Sequence, residues 1–135
     1  MKPPRSHEIL KILIVDDSDF NRRSMAEILI NEGFNVVGQA GSAEDAIQIA
    51  HSTKANLIFI DVVMPDISGL ELTKHFQEKH SGERYLIMMS SLNIESIVIE
   101  SISNGAIDFL QKPFDRNDLL KAVEKIERLV EKEGK

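Results

Sequence analysis

Three aspartates lie at the end of an apolar stretch near the start of the chain. In the segment KILIVDDSDF, residues 11–20, four apolar side chains run directly into Asp16, Asp17 and Asp19. Carboxylates held close together repel one another, so some of them must take up a proton or share a cation. Mg²⁺ is a suitable cation, because it takes one or two carboxylates and completes its shell with water and phosphate oxygens. The segment therefore indicates a candidate site for a divalent cation.

Three further polar residues lie at or just beyond the ends of later apolar runs. Asp61 ends NLIFID, Ser90 ends YLIMMS, and Lys112 follows DFLQ. A carboxylate can act as a nucleophile and carry a phosphoryl group covalently. An ammonium group and a hydroxyl group are well suited to binding phosphoryl oxygens. Because phosphoryl transfer depends mainly on positioning and charge neutralisation, these residue types would suffice for it if the fold brought them together.

The elements that would position these residues alternate along the chain. Apolar runs of strand length, without the polar alternation of a half-exposed strand, cover residues 11–15, 34–38, 56–60, 85–89 and 106–110. Helical spacing covers residues 20–31, a segment capped by Ser42, and residues 68–79, 93–103 and 115–131. Five strand and helix pairs in strict alternation predict an α/β fold with a parallel sheet, right-handed crossovers and helices on both faces.

In such a sheet, ligands bind outside the carboxyl ends of the strands, where the strand order reverses. The polar residues that follow the first, third, fourth and fifth strands are therefore expected on one edge, and these are Asp16, Asp17, Asp61, Ser90 and Lys112. Such an edge could hold a divalent cation between the aspartates, beside a hydroxyl group and a lysine. This arrangement predicts a site for phosphoryl chemistry.

Composition narrows the class of protein further. The chain has 135 residues, which fits one domain, and its net charge of −6 argues against general attraction to nucleic acid or to an anionic membrane. It has no cysteine, and its longest apolar runs are far shorter than the roughly 20 residues of a membrane span. We expect a cytoplasmic protein with a flexible lead-in at residues 1–8, a domain over residues 9–131 and a short tail at residues 132–135.

An ordered set of motifs spans roughly residues 11–130: IVDD, then IDVVMPDISG, then MMSS, then KPF. This set resembles the receiver domain of two-component response regulators, of the type found in chemotaxis regulators. The resemblance implies a doubly wound, flavodoxin-like sheet of five parallel strands in the order 2-1-3-4-5, with five helices. It also implies a switch that promotes its own phosphorylation, rather than an enzyme that turns over an external substrate.

The resemblance assigns a role to each matched position. Asp61 would be the phosphoacceptor, and Mg²⁺ would be bound by Asp17, Asp61 and the backbone carbonyl of Val63, with Asp16 acting through water. Ser90 and Lys112 would contact the phosphoryl group, and the Lys112–Pro113 peptide lies where the family has a cis bond. Phe109 stands where the family places a switch aromatic that packs inward when the hydroxyl residue moves.

The resemblance also implies partners. The donor would be a sensor histidine kinase or a histidine phosphotransfer protein. A downstream protein or a second copy would bind through the fourth helix, fifth strand and fifth helix. The fourth helix carries more apolar residues than one buried stripe needs, so some of them are expected to be exposed. In the fifth helix, the spacing of Leu119, Ala122, Ile126 and Leu129 favours core packing over a coiled coil.

Two positions depart from the family pattern. Val63 lies two residues after Asp61, and Leu92 lies two residues after Ser90. In the family these positions often carry polar side chains that flank the water attacking the phosphoryl group. Apolar side chains there predict slow loss of the phosphoryl group and a long-lived signal.

The sequence leaves two other hypotheses about function open. A Mg²⁺-dependent phosphohydrolase of the haloacid-dehalogenase type would use Asp17 as nucleophile and Asp19 as acid, with Ser90 and Lys112 in support. The residues after Asp19 and the absence of a cap domain argue against it, and it leaves DVVMPD unexplained. The other reading is a degenerate receiver that serves only as a binding module, although the acidic residues, hydroxyl and lysine are all present.

Overall fold

The computed structural model describes residues 9–79, 84–92 and 95–133. The predicted lead-in at residues 1–8 lies outside the described residues, as do residues 134–135 of the predicted tail. The first two residues of the predicted fourth helix, Asn93 and Ile94, also lie outside them.

Strands and helices alternate as the sequence predicts. The strands are β1 Lys11–Val15, β2 Asn35–Ala40, β3 Leu57–Asp61, β4 Tyr85–Ser90 and β5 Asp108–Gln111. The helices that follow them are α1 Asp19–Asn31, α2 Ala43–Thr53, α3 Gly69–Lys79, α4 Glu95–Ser103 and α5 Arg116–Glu133.

The strands form one parallel sheet in the order β2-β1-β3-β4-β5, which confirms the predicted topology. The pairing register aligns the carboxyl ends of the central strands. Val15 pairs with Ile60, Asp61 with Met89, and Ser90 with Gln111. The residues predicted to do chemistry therefore leave the sheet along a single edge.

Each face of the sheet is covered by its own apolar cluster. In β1, Ile12 and Ile14 face a cluster that includes residues of α1 and α5, whereas Leu13 and Val15 face a cluster that includes residues of α2 and α3. A strand buried on both faces needs no polar alternation, which explains the continuous apolar runs of the sequence.

Local signals set the ends of the first two helices. The Ser18 hydroxyl accepts a hydrogen bond from the Asn21 amide at the start of α1, and α1 gives way to Gly33, whose φ of +91° favours glycine. The Ser42 hydroxyl accepts from the Asp45 amide in the same way at the start of α2.

No helix of the described chain is both long and apolar enough to cross a membrane.

Two strand predictions need correction. The predicted second strand covers residues 34–38, but β2 runs to Ala40 because Gln39 and Ala40 pair with Ile14 and Val15 beyond an irregularity in the register. The predicted fifth strand covers residues 106–110, but β5 begins at Asp108. The Ala106 amide donates instead to the Ser101 carbonyl, which closes the turn after α4.

Candidate functional site

The carboxylates of β1 and β3 meet at the carboxyl edge of the sheet. One carboxylate oxygen each from Asp16, Asp17 and Asp61 lies within 4.8 Å of the others. Asp16 and Asp61 are buried, whereas Asp17 is exposed. Adjacent strands create this cluster, because Asp16 and Asp17 directly follow β1 and Asp61 is the last residue of β3.

The Lys112 side chain reaches this cluster from the loop after β5. Its Nζ donates to Asp16 Oδ2 at 2.6 Å and to Asp61 Oδ2 at 3.0 Å, and its side chain is only 17% exposed. Burial alone would lower the pKa of the ammonium, but hydrogen bonds and attraction to both carboxylates outweigh burial and raise it. Lys112 is therefore a fixed cation between two buried carboxylates.

The Asp61 carboxyl group experiences opposing influences. Burial raises its pKa above the ordinary value and repulsion from Asp16 adds to the rise, while the hydrogen bond and attraction to Lys112 and a backbone hydrogen bond from Val63 act against it. The Val63 amide donates to Asp61 Oδ1 at 3.2 Å. Asp61 is thus held in one orientation, although its ionised form would gain from additional positive charge.

Backbone contacts position the loops around the cluster. The Lys112 amide donates to the Ser90 carbonyl at 2.7 Å, and the Lys112–Pro113 peptide is cis. The chain after Asp61 turns so tightly that an added Cβ on Gly69 would lie 2.0 Å from the Asp61 carbonyl oxygen. Only glycine fits this close approach of backbone to backbone.

The serine and the aromatic residue lie on the neighbouring strands. Ser90 is buried at the end of β4, between the strands that carry Asp61 and lead to Lys112, and its Oγ accepts from the Leu92 amide at 2.9 Å. Phe109 lies on β5, partly buried against the cluster that covers the α2 and α3 face. Val63 and Leu92 donate their backbone amides to the Asp61 and Ser90 side chains. Their own side chains are 56% and 39% exposed, so both present apolar groups to solvent.

Asp19 does not belong to the acidic cluster. It is the first residue of α1, is exposed, and forms an ion pair with Arg22 one turn later. A hydrolase that used Asp17 as nucleophile and Asp19 as acid would need both carboxylates at one reacting centre. The ion pair with Arg22 argues against that arrangement.

The cluster fits a magnesium ion by its chemistry. All its donors are carboxylate oxygens, the ligands that hard divalent cations prefer, and the exposed Asp17 gives access from solvent. A bound cation would also relieve the repulsion between Asp16 and Asp61.

Sequence reasoning missed the contacts of two residues, Asp66 and Arg22. Asp66 accepts hydrogen bonds from the Ala43 and Glu44 amides, both at 3.0 Å, and these bonds lower the pKa of its carboxyl group. No local pattern reveals this contact, because its partners lie in the first turn of α2, far away in the sequence. Arg22 donates to the Asp16 carbonyl as well as to Asp19. Its spacing of three residues from Asp19 on a helix could have predicted their ion pair.

The protein has a doubly wound α/β fold with an acidic cluster, a lysine and a hydroxyl group on one edge of the sheet. This combination of fold and site defines its class. The family model described as response regulator receiver domain matches residues 12–124. The chain is 35% identical to the chemotaxis protein CheY of Bacillus subtilis over 115 residues, which covers 85% of this chain and 95% of that protein.

Solved structures agree with this likeness. A CheY-like receiver domain protein from Methanospirillum hungatei has a TM-score of 0.84 at 30% identity, covering 92% of this chain and 98% of that one. The CheX–CheY–BeF3–Mg complex from Borrelia burgdorferi contains a chain with a TM-score of 0.81 at 30% identity, covering 87% of this chain and 88% of that one. The chain belongs to the response regulator receiver domain family. Receiver domains like CheY are switches of two-component phosphorelay signalling rather than turnover enzymes.

Proposed function

We propose that this receiver accepts a phosphoryl group on Asp61 from a phosphohistidine of a sensor histidine kinase or a histidine phosphotransfer protein. The observation that carries the proposal is the contact set around Lys112 Nζ, which binds the buried carboxylates of Asp16 and Asp61 while Asp17 lies within reach of both. A carboxylate fixed beside a lysine and an acidic cluster has the nucleophile and the charge pattern that phosphoryl transfer requires.

In the proposed reaction, a carboxylate oxygen of Asp61 attacks the phosphorus atom of the donor. The new P–O bond forms as the P–N bond to the donor imidazole breaks, and the bonding electron pair stays on the imidazole nitrogen, which takes a proton from solvent. Lys112 Nζ, 3.0 Å from Asp61 Oδ2, is placed to donate to an oxygen of the arriving phosphoryl group. The Val63 amide orients the carboxylate from its other oxygen.

Mg²⁺ would be held by Asp17, Asp61 and the Val63 carbonyl, with Asp16 acting through water. When bound, it supplies positive charge that favours ionised carboxylates and neutralises phosphoryl oxygens. Burial raises the pKa of Asp61, and the positive charge of the ion would act against that rise and favour the ionised, nucleophilic carboxylate.

Ser90 and Phe109 are proposed to convert phosphorylation into a change of surface. The Ser90 hydroxyl now accepts from the Leu92 amide, and a phosphoryl group on Asp61 would offer it a charged acceptor instead. Phe109 is partly buried on the next strand, so movement of Ser90 would leave space for the ring to pack inward. The surface changed in this way is formed by α4, β5 and α5, and it would bind a downstream protein or a second copy.

Intact mass and phosphate release together test the proposal. The protein is incubated with a small phosphodonor with and without Mg²⁺, as wild type and as the Asp61→Asn and Asp17→Asn variants. We expect one phosphoryl adduct on wild type that depends on Mg²⁺ and is absent from Asp61→Asn. Repeated phosphate release that survives Asp61→Asn but not Asp17→Asn would overturn the proposal in favour of a hydrolase. Absence of both adduct and release would favour a binding module.

A further inference from the structure

Asp66 lies in the loop between β3 and α3 but binds the start of a different helix. Its Oδ1 accepts from the Ala43 amide and its Oδ2 from the Glu44 amide, each at 3.0 Å. These amides belong to the first turn of α2, where backbone donors lack partners within the helix and the helix dipole favours a negative charge. The loop is thus tied to α2 through a side chain that is itself exposed.

The same loop carries the backbone of Val63, the proposed carbonyl ligand of the metal. The base of the loop is closed by the Gly69 amide, which donates to the Val62 carbonyl at 2.7 Å. Val63 therefore lies between a fixed base and the Asp66 contact, outside any helix or strand. Without the Asp66 contact, the outer part of the loop would lose its tie to α2.

The tie completes a ring of contacts around the acidic cluster. The end of β2, which leads into α2, is joined to the end of β1, because the Asp16 amide donates to the Ala40 carbonyl at 3.0 Å. β1 pairs with β3, and β3 leads through Asp61 back into the loop that carries Asp66. The two loops on either side of the carboxylates are thus held relative to one another by the Asp66 side chain.

We propose that Asp66 is a positioning residue that latches the β3–α3 loop to α2 and so fixes the Val63 carbonyl for the metal. This inference rests on the proposed function, since it concerns the metal of the same site. Groups that orient metal ligands from outside typically contribute 10- to 100-fold to metal affinity. Asp66 would act in this way through the backbone and would not touch the metal itself.

The chain offers a matched control for this role. Ser42 is the N-cap residue of the same helix, and its hydroxyl accepts from the Asp45 amide at 3.2 Å. Ser42→Ala and Asp66→Ala each remove a cap from the start of α2, so both weaken the helix. Only Asp66→Ala releases the β3–α3 loop. Asp66→Asn is intermediate, since the NH₂ group that replaces one carboxylate oxygen is a donor and cannot accept from the backbone amide opposite it.

Two measurements on unphosphorylated protein decide between a latch and a plain helix cap. Amide hydrogen exchange of Val63, measured by NMR without metal, is expected to accelerate in Asp66→Ala and to stay at the wild-type rate in Ser42→Ala. The dissociation constant for Mg²⁺ alone, measured by calorimetry, is expected to rise about tenfold in Asp66→Ala and less than about twofold in Ser42→Ala. Asp66→Asn should fall between them on both readouts.

The proposal stands only if Asp66→Ala changes both quantities and Ser42→Ala changes neither. Equal changes in the two variants, or no change in Asp66→Ala, would reduce Asp66 to a helix cap and overturn the proposal. A wild-type protein that binds no Mg²⁺ would instead overturn the proposed function, and the latch with it, whatever the variants show.

Discussion

Ser90 and Lys112 each lead into a helix, and the two helices are packed very differently. Helix α5, after Lys112, buries an apolar stripe of Leu119, Ala122, Val123 and Ile126. Helix α4, after Ser90, has Ser101 as its one buried side chain among residues 95–103, and leaves Ile99 and Ile102 57% and 48% exposed. The site is therefore bounded by one well-anchored helix and one weakly anchored helix.

The difference indicates which side of the site is able to move. Lys112 is held by two buried carboxylates, so it serves as a fixed reference. A helix with few buried apolar contacts can shift at a small cost in free energy. Phosphorylation at Asp61 would therefore change the shared surface of α4, β5 and α5 through the Ser90 and α4 side, while Lys112 and α5 stay in place. The exposed isoleucines also leave apolar area open on α4.

The largest expected effect compares the two helices directly. Leu119→Ala removes a fully buried side chain from α5 and should lower the free energy of unfolding by about 3 kcal/mol. Ile102→Ala on α4 removes a half-exposed side chain and should cost less than about 1 kcal/mol. Urea unfolding of both variants measures these values. Similar losses would mean that α4 is as firmly anchored as α5.

The next largest effect concerns the ion pairs that Lys112 forms with Asp16 and Asp61. Lys112→Ala leaves Asp16 and Asp61 facing each other without a cation, and should lower stability by about 2 kcal/mol in metal-free buffer. Lys125→Ala, which removes an exposed ion pair with Asp108, is the control and should cost less than about 0.5 kcal/mol. Equal losses in the two variants would contradict the role of Lys112 as a fixed reference.

This anchor also predicts a dependence on pH. The pKa of Lys112 is raised in the folded protein, so its contribution is fully present below the unfolded-state value of 10.5 and is lost as pH rises through the higher folded value. The stability difference between wild type and Lys112→Ala should therefore shrink in strongly alkaline solution, as measured by urea unfolding across that range.

A smaller effect concerns the apolar side chains at the mouth of the site. The Val63→Asn, Leu92→Glu double variant places polar groups where they can orient an attacking water, and should release the phosphoryl group about tenfold faster, equivalent to roughly 1.4 kcal/mol of barrier. Decay of the phosphorylated protein, followed by intact mass after removal of the donor, gives the rate. A double variant that decays no faster than wild type would remove the proposed basis for a long-lived signal.

The smallest effect is a gain in stability. Burial raises the pKa of Asp61, so its ionised form costs folding free energy as pH rises above the unfolded-state value of 3.8. Asp61→Asn removes this charge and should stabilise the metal-free protein at neutral pH, measured as an increase in Tm. The gain should disappear in acid, where wild type is protonated. A loss of stability at neutral pH would show that the Lys112 contact outweighs burial.

Much of this architecture could be predicted from the sequence because its signals are local. Continuous apolar runs identified strands buried on both faces, and the predicted stripe of α5 is buried or partly buried throughout. The residues of the acidic cluster could be placed together because parallel strands bring their carboxyl ends to one edge. The exposure of isoleucines on α4 followed from its excess of apolar residues.

Contacts between distant loops could not be predicted in this way. Asp66 binds amides more than twenty positions earlier in the chain, and nothing in MPDISG distinguishes that contact from an exposed turn aspartate. The extension of β2 to Ala40 depends on a local irregularity in its pairing with β1. Both features depend on how neighbouring loops meet in three dimensions.

Locating the phosphoryl group along the chain shows whether Asp61 is the phosphoacceptor. Protein treated with a small phosphodonor and Mg²⁺ is reduced with borohydride, which converts an aspartyl phosphate to a stable alcohol, and is then digested with trypsin. Asp61 lies in the peptide of residues 55–74, and Asp16 and Asp17 lie in the peptide of residues 12–22. We expect modification of the first peptide, placed on Asp61 rather than Asp66 by fragmentation and absent from Asp61→Asn. Modification of the second peptide, or of Asp66, would contradict it.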